Sequence, residues 1–97
     1  MKTVIEKEVL TIYLVGQLNS SNAEDIEKEI DNILDKGGFK SIKLDFTDLD
    51  YISSAGLRII LRIKQRYEDT SIINVNSEVY SIFKMVNFIS VIDISKK

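Results

Sequence analysis

Apolar and polar positions along this chain follow two different periods, and the switches between them mark its elements. Val9 to Val15 (VLTIYLV) is a nearly continuous run of apolar and β-favouring residues, the pattern of a strand covered on both faces, and Gly16 ends it. Ahead of it, Thr3 to Glu6 reads as a short edge strand. From about Ser21 to Lys36 the period lengthens to that of a helix. Ala23, Ile26, Ile30, Ile33 and Leu34 form one apolar stripe, with charges on the opposite face. Asn19, Ser20, Ser21 and Asn22 are capping types, Glu24 and Asp25 suit a first turn, and Gly37 and Gly38 supply a left-handed stop.

Alternation returns from Lys40 to Phe46, with Ile42, Leu44 and Phe46 on one side of a strand. Thr47 to Ser54 (TDLDYISS) reads as a loop. Ala55 to Tyr67 is a second helix on Leu57, Ile60, Leu61 and Ile63, with Ile59 widening the stripe. Ser71 to Asn76 is a further strand. Asn76 or Ser77 caps a last helix with Val79, Ile82, Phe83, Val86 and Met85 inward, and Val91 to Ile94 closes as a strand. Strands alternating with helices of this length predict crossover connections and a largely parallel sheet, an α/β fold.

Composition narrows what such a fold can do. The 97 residues suit one domain, residues 1–97, which buries roughly two-thirds of its unfolded surface without staples. The chain contains neither cysteine nor histidine. Disulfides and thiol catalysis are excluded, and the commonest general base and transition-metal ligand is missing. A net charge of −2 gives no excess of cations to displace counterions, so direct nucleic-acid binding is not expected. No apolar run reaches the roughly 18 residues of a membrane span. Glu6 and Glu8 interrupt any signal-like core at the start, so a cytoplasmic location is expected. No Walker or dinucleotide glycine motif is present. Neither an enzyme nor a cofactor is expected.

The stretch richest in chemical information runs from Leu44 to Leu61. A strand ends, a loop turns, and a helix begins at Ser53 and Ser54, followed by the small residues Ala55 and Gly56. Small residues here let the helix start close against the sheet. Serines at a helix start commonly only cap free amides. Such a serine is also a suitable phosphate acceptor, because the added charge of about −1.5 to −2 faces the positive end of the helix dipole.

The run Asp48, Leu49, Asp50, Tyr51, Ile52, Ser53, Ser54, Ala55, Gly56, Leu57 resembles the signature of STAS domains, named for sulphate transporters and anti-sigma factor antagonists. Gly16, Leu18, Asn19 and Ala23 are similar to the family's segment before its first helix, and Val79 to Phe88 to its last amphipathic helix. The resemblance implies a mixed, largely parallel sheet of four to five strands flanked by three or more helices. In the antagonist branch it implies that an anti-sigma factor with serine kinase activity phosphorylates Ser54, with Ser53 as second choice. The unphosphorylated form binds that factor and frees the sigma factor, and a metal-dependent serine phosphatase resets the switch. Docking is then expected at Asn19, Ser20, Tyr51, Ile52, Ser53, Ser54, Ala55, Gly56 and Arg58. The chain departs from the family at Ser53 and Asn19, where Asp is common. The alternative is a STAS adaptor subunit of a transporter or signalling complex, not switched at Ser54. A monomer or weak dimer is expected, pairing through an edge strand near Val4.

Other clusters carry milder expectations. Asp45, Asp48 and Asp50 suit a magnesium site by chemistry, but loop acids generally serve turns, and no metal is expected. Arg58, Arg62 and Arg66 recur every fourth residue, as a solvated outer face or as a stripe that meets an acidic partner. Arg58 is also placed to reach a phosphate on Ser54. Of Leu49, Tyr51 and Ile52, one exposed residue would serve as a partner anchor. Met85 and Phe88 read as core, and Lys96 and Lys97 as a frayed tail.

Overall fold

A computed structural model describes all residues, Met1–Lys97. The element order is β1 (Lys2–Glu6), β2 (Val9–Tyr13), β3 (Gly16–Leu18), α1 (Ala23–Lys36), β4 (Ser41–Asp45), β5 (Leu49–Ile52), α2 (Ser54–Arg66), β6 (Thr70–Val75), α3 (Ser77–Met85), a short 3-10 turn (Phe88–Ser90) and β7 (Asp93–Lys96). The main sheet has five strands in the order β1-β2-β4-β6-β7. Only β1 is antiparallel to its neighbour. The expected mixed, largely parallel α/β fold with three helices is therefore present. No helix is long and apolar enough to cross a membrane.

Period-2 alternation puts Leu10, Ile12, Ile42, Leu44 and Ile72 on one face of the sheet, and all five are buried. Ile30 and Leu34 of α1 join them in one core cluster, as do Ile59, Ile60 and Ile63 of α2. On the other face Thr11, Tyr13, Ser71 and Ile73 are only half-buried and Lys43 is exposed. The expectation that Val9 to Val15 is covered on both faces is thus corrected. β2 alternates, and its apolar look comes from Thr11 and Tyr13, which favour strands without needing full burial.

The same run also divides. After Tyr13 the chain leaves β2, the Leu14 N–H donates to the Asp45 carbonyl at 3.1 Å, and Gly16 at φ 79° turns it into β3. Gly16 therefore opens a strand instead of ending one. Its partner is β5, four residues inside the segment read as a loop. This two-stranded parallel ribbon lies outside the main sheet and carries the serine segment at its end.

The C-terminal third packs around aromatics. Phe83 is fully buried, 6.1 Å from Phe46 and 5.4 Å from Phe88 between ring centroids. Phe88 is core as expected, but Met85 is 82% exposed and Val86 51%. Met85 is the last helical residue and sits on the far side of α3 from the buried Val79 and Phe83, while Val86 lies past the helix end, where Asn87 turns the chain in the left-handed region. The closing strand is also shifted, beginning at Asp93 and not Val91. Lys96 pairs in that strand and the Lys97 N–H donates to the Val75 carbonyl at 2.9 Å, so the tail is tied down.

Candidate functional site

The site is built where the β3–β5 ribbon ends. Parallel pairing sets Leu18 beside Ile52, so the residues that follow, Asn19 and Ser53, emerge side by side. The Ser53 N–H donates to the Leu18 carbonyl at 2.8 Å and extends this pairing by one step. Two segments far apart in sequence, the loop Asn19 to Asn22 and the first turn of α2 from its cap Ser53 to Gly56, thereby lie beside each other.

Each segment is fixed by its own polar side chains. Asn19 Oδ1 accepts from the N–H groups of Ser21 at 2.9 Å and Asn22 at 3.1 Å, and the Asn19 N–H donates to Asn22 Oδ1 at 2.9 Å. Asn22 Nδ2 donates to the Gln17 carbonyl at 2.7 Å. The capping residues before α1 therefore turn back onto β3, and Asn22 makes no side-chain cap bond to the helix. The part played by Gln17 is not legible in the sequence, because a polar residue inside a three-residue strand gives no periodic signal.

At α2 the two serines divide their tasks. Ser53 is the N-cap, half-buried, and its Oγ accepts from the Gly56 N–H at 3.3 Å while its carbonyl accepts from the Leu57 N–H at 3.0 Å. Ser54 is the first helical residue, is exposed, and its hydroxyl makes no hydrogen bond within the chain. The N–H groups of Ser54 and Ala55 remain unpaired at the positive end of the helix.

Gly56 sets the depth of this surface. A Cβ at this position would lie 2.7 Å from Ile52 Cγ1 and 2.7 Å from Leu18 Cγ. Without a side chain, the first turn of α2 rests directly on both strands of the ribbon. Ile52 is 2% exposed and Gly56 is buried, so of the residues expected to dock these two lie beneath the surface and shape it from below. Among Leu49, Tyr51 and Ile52 the exposed residue is Tyr51, at 45%. β5 is held from a third side by α3, where Asn76 Nδ2 donates to the Leu49 carbonyl at 2.9 Å and Asn76 Oδ1 caps the Val79 N–H at 2.8 Å.

Beside the serines, Ser20, Ala23, Glu24 and Glu27 of the α1 side face Ala55, Arg58, Ile59 and Arg62 of α2 across an open groove. Ser20, Ala55 and Arg58 thus line one groove. The arginine stripe is a correction. Arg62 pairs with Glu27 and lies 4.0 Å from Asp31, and Arg66 lies 2.6 Å from Asp35. The Asp35 hydrogen bond raises the Arg66 pKa further. The acidic stripe that these two arginines meet is on α1 of the same chain, and being exposed it adds little stability. Glu27, Asp31 and Asp35 repeat every fourth residue just as the arginines do, a signal that was available in the sequence. Arg58 alone of the three has no carboxylate within ion-pair distance.

The acidic cluster does not converge. No group of three carboxylates is arranged to hold a metal ion. Asp45 is 7% exposed, and both its oxygens are occupied, Oδ1 by the Thr47 N–H at 2.9 Å and by the Thr47 hydroxyl, Oδ2 by Asn74 Nδ2 at 3.1 Å. Burial by itself raises this carboxyl, but the bonds from Thr47 and Asn74 and the charge of Lys2 outweigh it and hold the pKa below its ordinary value. A depressed carboxylate stabilises the fold fully above its unfolded value near 3.8, and that contribution is lost as pH falls through the lower folded value. Asp45→Asn should therefore be less stable than wild type at pH 7, and the gap should close below about pH 4. Urea midpoints across that range test this, and a pH-independent gap would disprove it.

A small mixed sheet, a core under its helices, and a capped serine segment at the end of a separate two-stranded ribbon are the features that place the site. The chain belongs to the STAS domain family, whose family model matches residues 1–97. It is 34% identical over 101 residues to BtrV of Bordetella bronchiseptica, named as a candidate anti-sigma factor antagonist, covering 98% of this chain and 86% of that protein. Its fold is similar to a Thermotoga maritima protein described in the same way, with TM-score 0.87 and 23% identity, covering 99% of this chain and 86% of that one. It is also similar to the anti-sigma factor antagonist SpoIIAA in its unphosphorylated form, with TM-score 0.78 and 20% identity, covering 99% and 88%.

Proposed function

We propose that this protein is an anti-sigma factor antagonist, switched by phosphorylation of Ser54. Unphosphorylated, it binds an anti-sigma factor that carries serine kinase activity and so releases the sigma factor. A metal-dependent serine phosphatase restores that form. The relatives named as antagonists support the partner class. The observation that carries the choice of acceptor is the contrast between the serines: Ser53 uses its hydroxyl as a cap, while Ser54 offers an exposed, unbonded one.

The physical logic of the switch lies in binding and not in folding. A phosphate on Ser54 sits beside the unpaired N–H groups of the first turn, where negative charge is tolerated at about 0.3–1 kcal/mol in its favour. A partner that covers Ser54, Ser20, Tyr51 and Arg58 would have to desolvate that dianion.

The test is calorimetric titration with the anti-sigma factor encoded in the same genome, alongside mass spectrometry of phosphosites. Ser54→Asp should weaken binding at least about tenfold, some 1.4 kcal/mol. Ser54→Ala should retain binding and block phosphorylation. Equal affinity of all three forms, with transporter or scaffold subunits co-purifying, would replace the switch with the adaptor reading.

A further inference from the structure

The five-stranded sheet has two free edges, and they are built differently. The β7 edge is irregular, because its pairing with β6 shifts register between Ile72 and Val75. Such irregularities are one way in which edges are made unfit for pairing. The β1 edge is regular. Its five residues pair with β2 without a shift, from Lys2 opposite Tyr13 to Glu6 opposite Val9, across a two-residue turn. Both turn residues, Lys7 at φ 52° and Glu8 at φ 66°, hold the left-handed conformation that matches strand twist.

The sequence of this open strand, Lys2-Thr3-Val4-Ile5-Glu6, places opposite charges at equal distances from Val4. The Lys2 ammonium lies over the Tyr13 ring at 4.6 Å, yet neither Lys2 nor Glu6 has an ion-pair partner within the chain. Val4 is 38% exposed and Ile5 54%.

We propose that β1 is a self-association edge, and that its partner is a second copy of this chain, paired antiparallel about Val4. In that register each Lys2 lies opposite the other copy's Glu6, Thr3 lies opposite Ile5, and the two Val4 side chains meet on the axis. Residues directly opposite in an antiparallel pair share a face, and opposite charges there are favourable. The register keeps the two helix layers on the same side and continues one five-stranded sheet into the other. Centring on Val4 is what places unlike charges opposite one another at both ends. A C2 contact of this kind closes on itself and leaves no edge of the same type to propagate. β7 offers no equivalent. Pairing Asp93 with Lys96 of another copy would bring together residues of opposite faces. The contact is small, below the area of a standard stable interface, so a dissociation constant on the order of 0.1–1 mM is expected.

The test is sedimentation equilibrium of the full chain from about 10 µM to a few times the expected dissociation constant. The wild type should fit a monomer–dimer equilibrium. Glu6→Lys leaves a cation at both ends of the strand, so like charges face each other twice across the axis. Lys2→Glu does the same with anions. Each variant alone should therefore dissociate at least about tenfold more readily. An equimolar mixture of the two variants sets the all-cationic edge against the all-anionic one, restores unlike pairs at both ends, and should recover the dimer. Loss of folding would not be rescued by mixing, and thermal melts of each variant check it separately. A monomeric wild type at the highest concentration, a dimer indifferent to both reversals, or a mixture no stronger than its parts would each overturn the proposal.

Discussion

Replacing Phe83 with alanine should lower the unfolding free energy by about 3–5 kcal/mol, the range for large aromatic deletions in a core. Phe83 has no exposed surface, and its ring stacks with both Phe46, just past β4, and Phe88 in the 3-10 turn. Those neighbours belong to different parts of the chain and are fixed by backbone pairing on one side and a helical turn on the other. Little collapse into the vacated volume is possible, which favours the upper part of the range. A domain of this size has roughly 5–15 kcal/mol in total, so the loss is a large share of it. The midpoint of thermal unfolding should fall on the order of 20 °C. Phe83→Leu, which keeps most of the volume, should cost less than half as much. A loss below about 1 kcal/mol for Phe83→Ala would mean that the aromatic cluster does not hold α3 to the sheet.

Gly56→Ala is the second large effect, and its sign is contested by two terms. Alanine is the better helix former by about 1 kcal/mol. Against that, the added methyl would lie 2.7 Å from both Ile52 Cγ1 and Leu18 Cγ. These carbons lie near the backbone in fully packed side chains and are not flexible ends, so relief requires α2 to lift or the β3–β5 ribbon to move. Overpacking of this kind costs about 1–3 kcal/mol, occasionally more. Because both strands that carry the site are pushed, the larger values apply, and a net loss of about 1–2 kcal/mol is expected after the propensity gain. Partner affinity should fall as well, since Asn19 and Ser53 follow directly from the displaced residues. Urea unfolding gives the first quantity and titration with the partner the second. A stabilised Gly56→Ala variant would show that the ribbon yields easily and that the close approach is incidental.

Local pattern was enough for the elements that stand on a long period. Of the α1 stripe, Ala23, Ile30 and Leu34 are buried while Ile26 and Ile33 are half-buried against the core; of the α2 stripe, Ile60 and Ile63 are buried, Leu57 and Leu61 are half-buried against it, and Ile59, at the stripe's margin, is buried too. The alternation of Ile42 and Leu44 also faces the core. β5 was illegible for the opposite reason. Its burial runs buried, exposed, exposed, buried, which is neither helical nor alternating. It is a strand only because β3, from far earlier in the chain, lies beside it.

The sequence by itself determined the chemistry available at the site: two adjacent serines, small residues after them, and neither histidine nor cysteine anywhere in the chain. It also determined the three helices and the strands that alternate with them, because those depend on periods read within one segment, and that alternation implies parallel crossovers. Only the tertiary structure decided which serine is free, since the roles of Ser53 and Ser54 depend on where α2 starts relative to Leu18. It likewise decided that Arg62 and Arg66 are paired with α1 while Arg58 is not, and that one face of the sheet stays open. A residue's periodic position says which neighbours share its face. What lies opposite that face is a property of contacts between segments distant along the chain, and those arise only on folding.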